Sequence, residues 1–152
     1  MLDTADDRYP LLLVDSEDPV GGQDASPDSP APWAHLQTRD GWERPDGAAN
    51  DQAQLMVTCM ETWIMADRAA LRGFFGSPLN LRALLPQQEL ESRSRQQVQV
   101  SLEGATKDCG PRRGYRKGPR SFQLLAQLDP AVLAAWLPHF HRFVDTLHRY
   151  LD

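Results

Sequence analysis

Four consecutive aliphatic residues at positions 11–14 run directly into an acidic segment. A short apolar run bounded by proline and glycine is typical of a strand buried on both faces, so we predict a β-strand over residues 9–14. The carboxylates of Asp15, Glu17 and Asp18 would then project from the edge of a sheet. Such oxygen ligands suit a hard divalent cation such as Mg²⁺ or Mn²⁺. A solvated acidic turn is the alternative interpretation, because Asp and Ser are common turn residues.

The chain has 152 residues, of which 41% are hydrophobic and 24% are charged. This length and composition predict one globular domain over residues 1–152. No apolar run reaches the ~20 residues of a membrane-spanning helix, and the acidic segment 1–7 lacks the basic start of a signal peptide. We therefore expect a cytoplasmic protein that does not enter a membrane. Cys59 and Cys109 are widely separated, which fits a reducing compartment and argues against a zinc site.

Charge is distributed unevenly along the chain. Residues 1–50 hold eleven acids and three bases, a net charge of −8, whereas residues 51–152 hold ten acids and thirteen bases, a net charge of +3. The acidic half carries the candidate metal ligands, and the basic half could contact phosphates. The overall pI near 5.3 excludes the bulk basic character of a general nucleic-acid-binding domain.

Two segments have the composition of loops. Residues 19–32 are rich in Pro, Gly, Asp and Ser, which is typical of a mobile loop. Residues 109–120 hold five basic residues, three glycines and one tyrosine. Glycine lets a backbone approach a phosphate closely, and arginine can bind a phosphate through two hydrogen bonds. A phosphate-binding loop and a solvated basic loop are both open interpretations; the basic residues are Arg112, Arg113, Arg116, Lys117 and Arg120.

The segment 54–66 predicts a second buried strand that leads directly into a helix, with a single long helix as the rival. Glu61 is the anomaly in this segment, because its neighbours Met60, Trp63 and Ile64 are apolar. Burying a carboxylate without a partner is costly. Glu61 is therefore expected to be neutralised, paired, bound to a metal or exposed to solvent at a helix start, where the helix dipole favours an acid.

Further helices are predicted from N-cap residues and from apolar residues at helical spacing. Asp67 is a candidate N-cap of one helix and Asp129 of another. In the helix that precedes Asp129, we expect Phe122, Leu125 and Leu128 to share one buried side. The predicted helices are a short one at 31–39, one after Asp67, one over 94–107, one containing Phe122, one starting at Pro130 and one after Pro138, with Leu151 on its apolar side.

Four separated motifs resemble, in the right order, a bacterial domain-of-unknown-function family, number 4276. They are the strand and acids at 11–18, the segment from Pro32 to Trp42, the run from Met60 to Asp67, and Tyr115 to Gly118 ahead of Ser121, Phe122 and Leu125. The resemblance covers most of the chain. It places the chain among TOPRIM-like proteins, similar in fold to the metal-binding domain of topoisomerases, primases and overcoming-lysogenization-defect nucleases. Members are often encoded beside ATPases, in settings suggestive of phage defence.

The resemblance implies an α/β fold with a mostly parallel sheet, flanking helices and a helical C-terminal third. It assigns Asp15 and Glu17 to the TOPRIM metal motif, with Asp18 adjacent, and it makes Glu61 a further ligand or a base. A TOPRIM domain begins with a strand and a catalytic glutamate, for which the eight residues before Tyr9 leave no room. The resemblance therefore implies a chain that lacks the family's N-terminal segment and has an open sheet edge, which would invite a partner or a second copy.

Three functions follow from these implications. The first is a Mg²⁺- or Mn²⁺-dependent nuclease or phosphoryl-transfer subunit of a bacterial defence-type system that works with an ATPase. In it, Asp15, Glu17 and Asp18 would hold the metal, Asp15 and Glu61 would act in catalysis, and the basic residues of 109–120 would steady a nucleic acid. The second is a non-catalytic, truncated subunit that docks on an ATPase or another partner. The third is a nucleic-acid binder that uses the basic loop without chemistry.

Overall fold

The computed structural model describes residues 8–151, which form seven α-helices and a sheet of two parallel strands. Strand β1 is Leu12–Asp15 and strand β2 is Ala53–Met56. Leu12 is paired with Ala53, and Asp15 with Met56. The predicted α/β class and helical C-terminal third are confirmed, whereas the sheet is minimal. The acidic segment 1–7, which argued against a signal peptide, lies outside the described residues.

The helices pack beside this small sheet and account for most of the core. Their bounds are α1 Ala31–Asp40, α2 Met60–Ala66, α3 Arg68–Phe75, α4 Arg95–Thr106, α5 Pro119–Leu125, α6 Pro130–Trp136 and α7 Pro138–Leu151. The predicted strand that leads into a helix is confirmed at β2 and α2, and the rival single long helix is wrong. In the described part of the chain, no helix combines the length and the apolar character needed to cross a membrane.

Strand β1 is only half-buried. Leu13 is 36% exposed, because β1 pairs with β2 alone among residues 8–151 and is covered by one small apolar cluster. Trp33 and Leu36 of α1 form that cluster together with β2, and Leu12 and Val14 pack against its edge. The prediction of a strand buried on both faces is therefore wrong for β1.

Two aspartates begin helices as predicted. The Asp67 carboxylate accepts a hydrogen bond from the Ala70 amide at 3.0 Å, and the Asp129 carboxylate accepts one from the Ala131 amide at 2.9 Å. The second oxygen of Asp67 accepts the Asp129 amide at 2.8 Å. One buried carboxylate thus caps α3 and also fixes the start of α6.

Two hydrophobic residues predicted to be buried are exposed. Phe122 is 63% exposed and Leu151 is 77% exposed. Helix α5 has only seven residues and turns Ser121 and Leu124 inward, so the side that carries Phe122 faces solvent. The predicted burial of Phe122 and Leu151 is therefore wrong, while Leu125 and Leu128 do pack against the core.

Arg142 of α7 is the largest fully buried side chain and ties this helix to the sheet. Its Nη1 donates to the carbonyl of Ala53 at 2.7 Å, its Nη2 to that of Asn50 at 2.9 Å, and its Nε to that of Ser26 at 3.0 Å. These carbonyls lie at the start of β2 and in the connection before α1. A single guanidinium therefore satisfies three backbone carbonyls from two separate parts of the chain.

A buried carboxylate links the two ends of the described chain. Asp51 accepts hydrogen bonds from the hydroxyls of Tyr9 at 2.6 Å and Tyr150 at 3.2 Å, and from Arg149 at 3.1 Å. The rings of Tyr9 and Tyr150 stack with their centroids 3.6 Å apart. Residues that precede β1 are thereby held against the end of α7.

Candidate active site at the end of strand β1

The acidic segment continues along the end of β2 after β1 stops at Asp15. The Ser16 amide donates to the Met56 carbonyl at 3.0 Å, and the Glu17 amide to the Thr58 carbonyl at 2.9 Å. Because the two strands are parallel, their carboxyl ends meet at one edge of the sheet, and α2 begins at the same edge. This arrangement brings the acids after β1 near the first turn of α2.

Helix α1 fixes the backbone of the acidic segment through two side chains. Arg39 donates to the Asp15 carbonyl at 2.8 Å, and His35 donates through Nε2 to the Ser16 carbonyl at 2.7 Å. Both acceptors lie at the point where the chain leaves β1. The α1 region of the sequence therefore positions the acids rather than supplying ligands.

Glu61 is fully buried in the first turn of α2. Its Oε1 accepts a hydrogen bond from the Tyr115 hydroxyl at 2.8 Å, whereas its Oε2 has no hydrogen-bond partner within residues 8–151. The interpretation of Glu61 as a solvent-exposed helix start is wrong, and pairing is confirmed for one of its two oxygens. An unpartnered buried carboxylate oxygen is rare and calls for a functional explanation.

Asp15 shares an electrostatic environment with the other acids. Burial raises the pKa of Asp15 above its ordinary value, and the positive charge of Lys117 opposes this rise. The negative charges of Glu17 and Glu61 raise the pKa of Asp15 further. Glu17, Glu61, Lys117 and Arg95, which come from four parts of the chain, therefore all act electrostatically on Asp15.

The remaining predicted residues occupy different positions. Glu17 adopts a left-handed backbone conformation with φ of 62° and forms an ion pair with Arg95 at the start of α4. Asp18 is exposed. Arg120 is partly buried, donates to the Arg112 carbonyl at 2.9 Å and lies 5.2 Å from the centre of the Phe74 ring. Arg112, Arg113, Arg116 and Lys117 are exposed.

The donor set fits Mg²⁺ only in an open mode of binding. Within residues 8–151, no group of three or more His, Cys, Asp or Glu side chains converges closely enough to hold a metal ion. Mg²⁺ is commonly bound by one or two carboxylates together with water and substrate phosphates. Asp15 and the free oxygen of Glu61 have the chemistry for that mode, whereas Glu17 already pairs with Arg95.

Tyr115 and Arg95 are site residues that the sequence did not reveal. The Tyr115 amide donates to Thr106 Oγ1 at 2.8 Å, which fixes the backbone next to the hydroxyl that holds Glu61. Burial raises the pKa of Tyr115 well above its ordinary range, and the hydrogen bond to Glu61 adds to the rise. The sequence offered one signal for Tyr115: it is the only residue with an aromatic hydroxyl in the basic segment 109–120, between Gly114 and Arg116.

Raising the pH above about 10 is expected to destabilise the protein through Tyr115. The folded state holds the phenolic proton more tightly than the unfolded chain does, so the unfolded chain releases it first. Measured by urea unfolding, the Tyr115 contribution to the free energy of unfolding should be constant below about pH 9 and should fall as the pH rises through about 10 to about 11. Tyr115→Phe should make this fall shallower, while Trp42→Phe, which changes an exposed aromatic residue that does not titrate, should leave the slope unchanged. If the free energy of unfolding fell equally steeply with pH in Tyr115→Phe and in wild type, the raised pKa of Tyr115 would be refuted.

A large apolar cleft in the described chain lies elsewhere. It measures about 750 Å³ and is lined by Leu11, Leu12, Trp33 and Trp42, among others. None of the four predicted acidic site residues lines it. The candidate site at the carboxyl ends of the strands is therefore separate from this apolar cleft.

Comparisons with known proteins give one match. A search of curated proteins and a search of solved structures found no matching protein. A family model described as Domain of unknown function (DUF4276) matches residues 1–148, which is nearly the whole chain. The chain therefore belongs to the DUF4276 family.

Proposed function

We propose that this chain is a Mg²⁺-dependent nuclease or other phosphoryl-transfer subunit with a TOPRIM-like active site. One observation carries the proposal: Asp15 ends β1 within the electrostatic reach of Glu61, a fully buried carboxylate with one unpartnered oxygen. Burial and like charges both disfavour ionised carboxylates, and such arrangements concentrate at functional sites. A bound divalent cation would offset the repulsion between the two acids.

The residues of the site have separate roles in this mechanism. Mg²⁺, when bound, supplies a Lewis acid for the phosphodiester and lowers the pKa of an attacking water. Asp15 and Glu61 would hold the cation through one oxygen each, and Tyr115 keeps Glu61 in place through its 2.8 Å hydrogen bond. Lys117 would place positive charge beside the phosphate. Glu17 would be available as a further ligand only after leaving Arg95.

An ATPase encoded nearby is the proposed partner, in a bacterial defence-type system. The family resemblance supports this partnership, and so does β1, whose outer edge is not paired with a strand in residues 8–151. Unpaired strand edges are templates for association. The same edge favours a second candidate function, in which the chain is a non-catalytic subunit that docks on the ATPase.

The test compares cleavage of supercoiled and single-stranded DNA and of RNA by wild type and Asp15→Asn, with Mg²⁺ or Mn²⁺ and with the neighbouring ATPase present. Asp15→Asn should cleave at least about 100-fold more slowly. Asp46→Asn changes an exposed acid outside the site and should cleave normally. Equal cleavage by wild type and Asp15→Asn would discard the assignment. Co-purification of both proteins with the ATPase, without cleavage by either, would establish the docking function instead.

A further inference from the structure

We propose that the substrate of this site is a single-stranded nucleic acid, held by a basic-aromatic surface that consists of Arg112, Arg113, Arg116, Lys117 and Phe122. This inference rests on the proposed function, because it names the substrate class of the same site. It starts from the one large aromatic side chain near the basic segment that the core leaves in solvent, Phe122, which is 63% exposed.

Phe122 lies next to the basic segment and on the outer side of α5, so its exposure places an aromatic ring close to the cations in sequence. Its amide donates to the Gly118 carbonyl at 3.4 Å, so Phe122 lies one helical turn beyond Gly118 and two residues beyond the end of the basic segment. Its neighbours Ser121 and Leu124 are buried, which turns Phe122 to the outside of α5. An exposed aromatic ring beside cations offers a flat surface on which a base can stack.

In the described part of the chain, no carboxylate lies within ion-pair distance of the four cations of this surface. Arg112, Arg113, Arg116 and Lys117 are exposed, and none of them forms an ion pair within residues 8–151. Arg120 anchors the segment instead, through the Arg112 carbonyl and the Phe74 ring. The positive charge is therefore held on an ordered segment and remains available to phosphates.

The basic-aromatic surface leads to the candidate active site. Tyr115 lies within the basic segment and donates to Glu61 at 2.8 Å, and Lys117 acts electrostatically on Asp15. A backbone that follows the cations would therefore reach the carboxylates.

A single strand matches this surface better than a duplex does. In a duplex the bases are stacked on one another and their faces are closed to Phe122, whereas an unpaired base is free to stack on it. Cations alone would bind both forms through their phosphates. The exposed Phe122 ring together with the cations thus favours single strands over duplexes. Single-stranded DNA and RNA both offer free base faces and phosphates.

The experiment measures binding by fluorescence anisotropy with EDTA present, so that no metal-dependent cleavage occurs. The probes are labelled oligothymidine and oligouridine of about 16 nucleotides and a duplex DNA of the same length. Wild type should bind the better single strand at least about tenfold more tightly than the duplex, and Phe122→Ala should weaken single-strand binding about tenfold. Val100→Ala, which changes another exposed hydrophobic residue, on α4, should bind as wild type does.

Two results would overturn the inference: equal binding of duplex and single strands by wild type, or unchanged single-strand binding by Phe122→Ala. Neutralising Arg116 and Lys117 together should also reduce the slope of log affinity against log salt by about 1.4. Failure of the nuclease proposal can be distinguished from failure of the single-strand inference. Single-strand binding by wild type that depends on Phe122, with no cleavage when Mg²⁺ or Mn²⁺ is added, would exclude the nuclease and support the substrate class. Cleavage that is lost in Asp15→Asn but unchanged in Phe122→Ala would support the nuclease and exclude single-strand binding through Phe122.

Discussion

Replacing Glu61 by glutamine is expected to slow cleavage by about 1,000-fold while making the metal-free protein more stable. Glutamine has nearly the same shape and keeps an oxygen that accepts the Tyr115 hydroxyl. It removes a charge from a fully buried position and ends its repulsion with Asp15. Desolvating a charge costs several kcal/mol, whereas an unsatisfied amide costs about 1–3 kcal/mol, so we expect a net gain of about 1 kcal/mol in the free energy of unfolding.

The two effects are measured separately and have opposite signs. Urea unfolding in EDTA reports stability, and cleavage with Mg²⁺ reports the chemistry. Glu103→Gln changes an exposed glutamate on α4 and should leave both quantities unchanged. A Glu61→Gln protein that is less stable and still cleaves at the normal rate would show that Glu61 is a structural residue.

Arg142→Ala is expected to lower the free energy of unfolding by about 4 kcal/mol. The change removes the donors to the carbonyls of Ala53, Asn50 and Ser26. Each buried acceptor left without a donor costs about 1–3 kcal/mol, and water entering the space left by the side chain would recover part of the total. Burial lowers the pKa of Arg142, which shows that the guanidinium bears a desolvation cost in this position.

Urea unfolding of two further variants tests the cause of this loss. Arg142→Lys keeps the charge but cannot reach three carbonyls at once, so its stability should lie between those of Arg142→Ala and wild type. Arg82→Ala changes an exposed arginine and should unfold as wild type does. A loss below about 1 kcal/mol in Arg142→Ala would show that water replaces the guanidinium without penalty.

Local signals in the sequence predict most of the elements correctly. The caps at Asp67 and Asp129 depend on hydrogen bonds to amides two or three residues away, so their sequence context is sufficient. Strand β2 and helix α2 likewise follow from a change of residue type within one short segment. The apolar spacing wrongly predicts that Phe122 is buried, because it assumes a longer helix, whereas α5 ends at Leu125.

The pairs that build the site are not local. Tyr115 and Glu61 are 54 positions apart, and Arg95 and Glu17 are 78 positions apart. No periodicity or cap predicts such contacts, since they depend on how the helices pack. Arg142 is a similar case, because an arginine on a helix is usually at the surface and its burial depends on carbonyls from elsewhere in the chain. The position of Asp15 was predictable, because the end of a strand is a local feature.

The contacts of α7 with β2 and with Tyr9 affect how the chain folds while it is being synthesised. Both strands leave the ribosome before Arg142, Arg149 and Tyr150, which complete the hydrogen bonds around β2 and Asp51. A nascent chain that has reached α6 therefore holds a sheet whose polar neighbours are still unsatisfied. We expect the N-terminal half to remain only loosely folded during synthesis and to become stable when α7 emerges, so that the protein folds as one late, cooperative event.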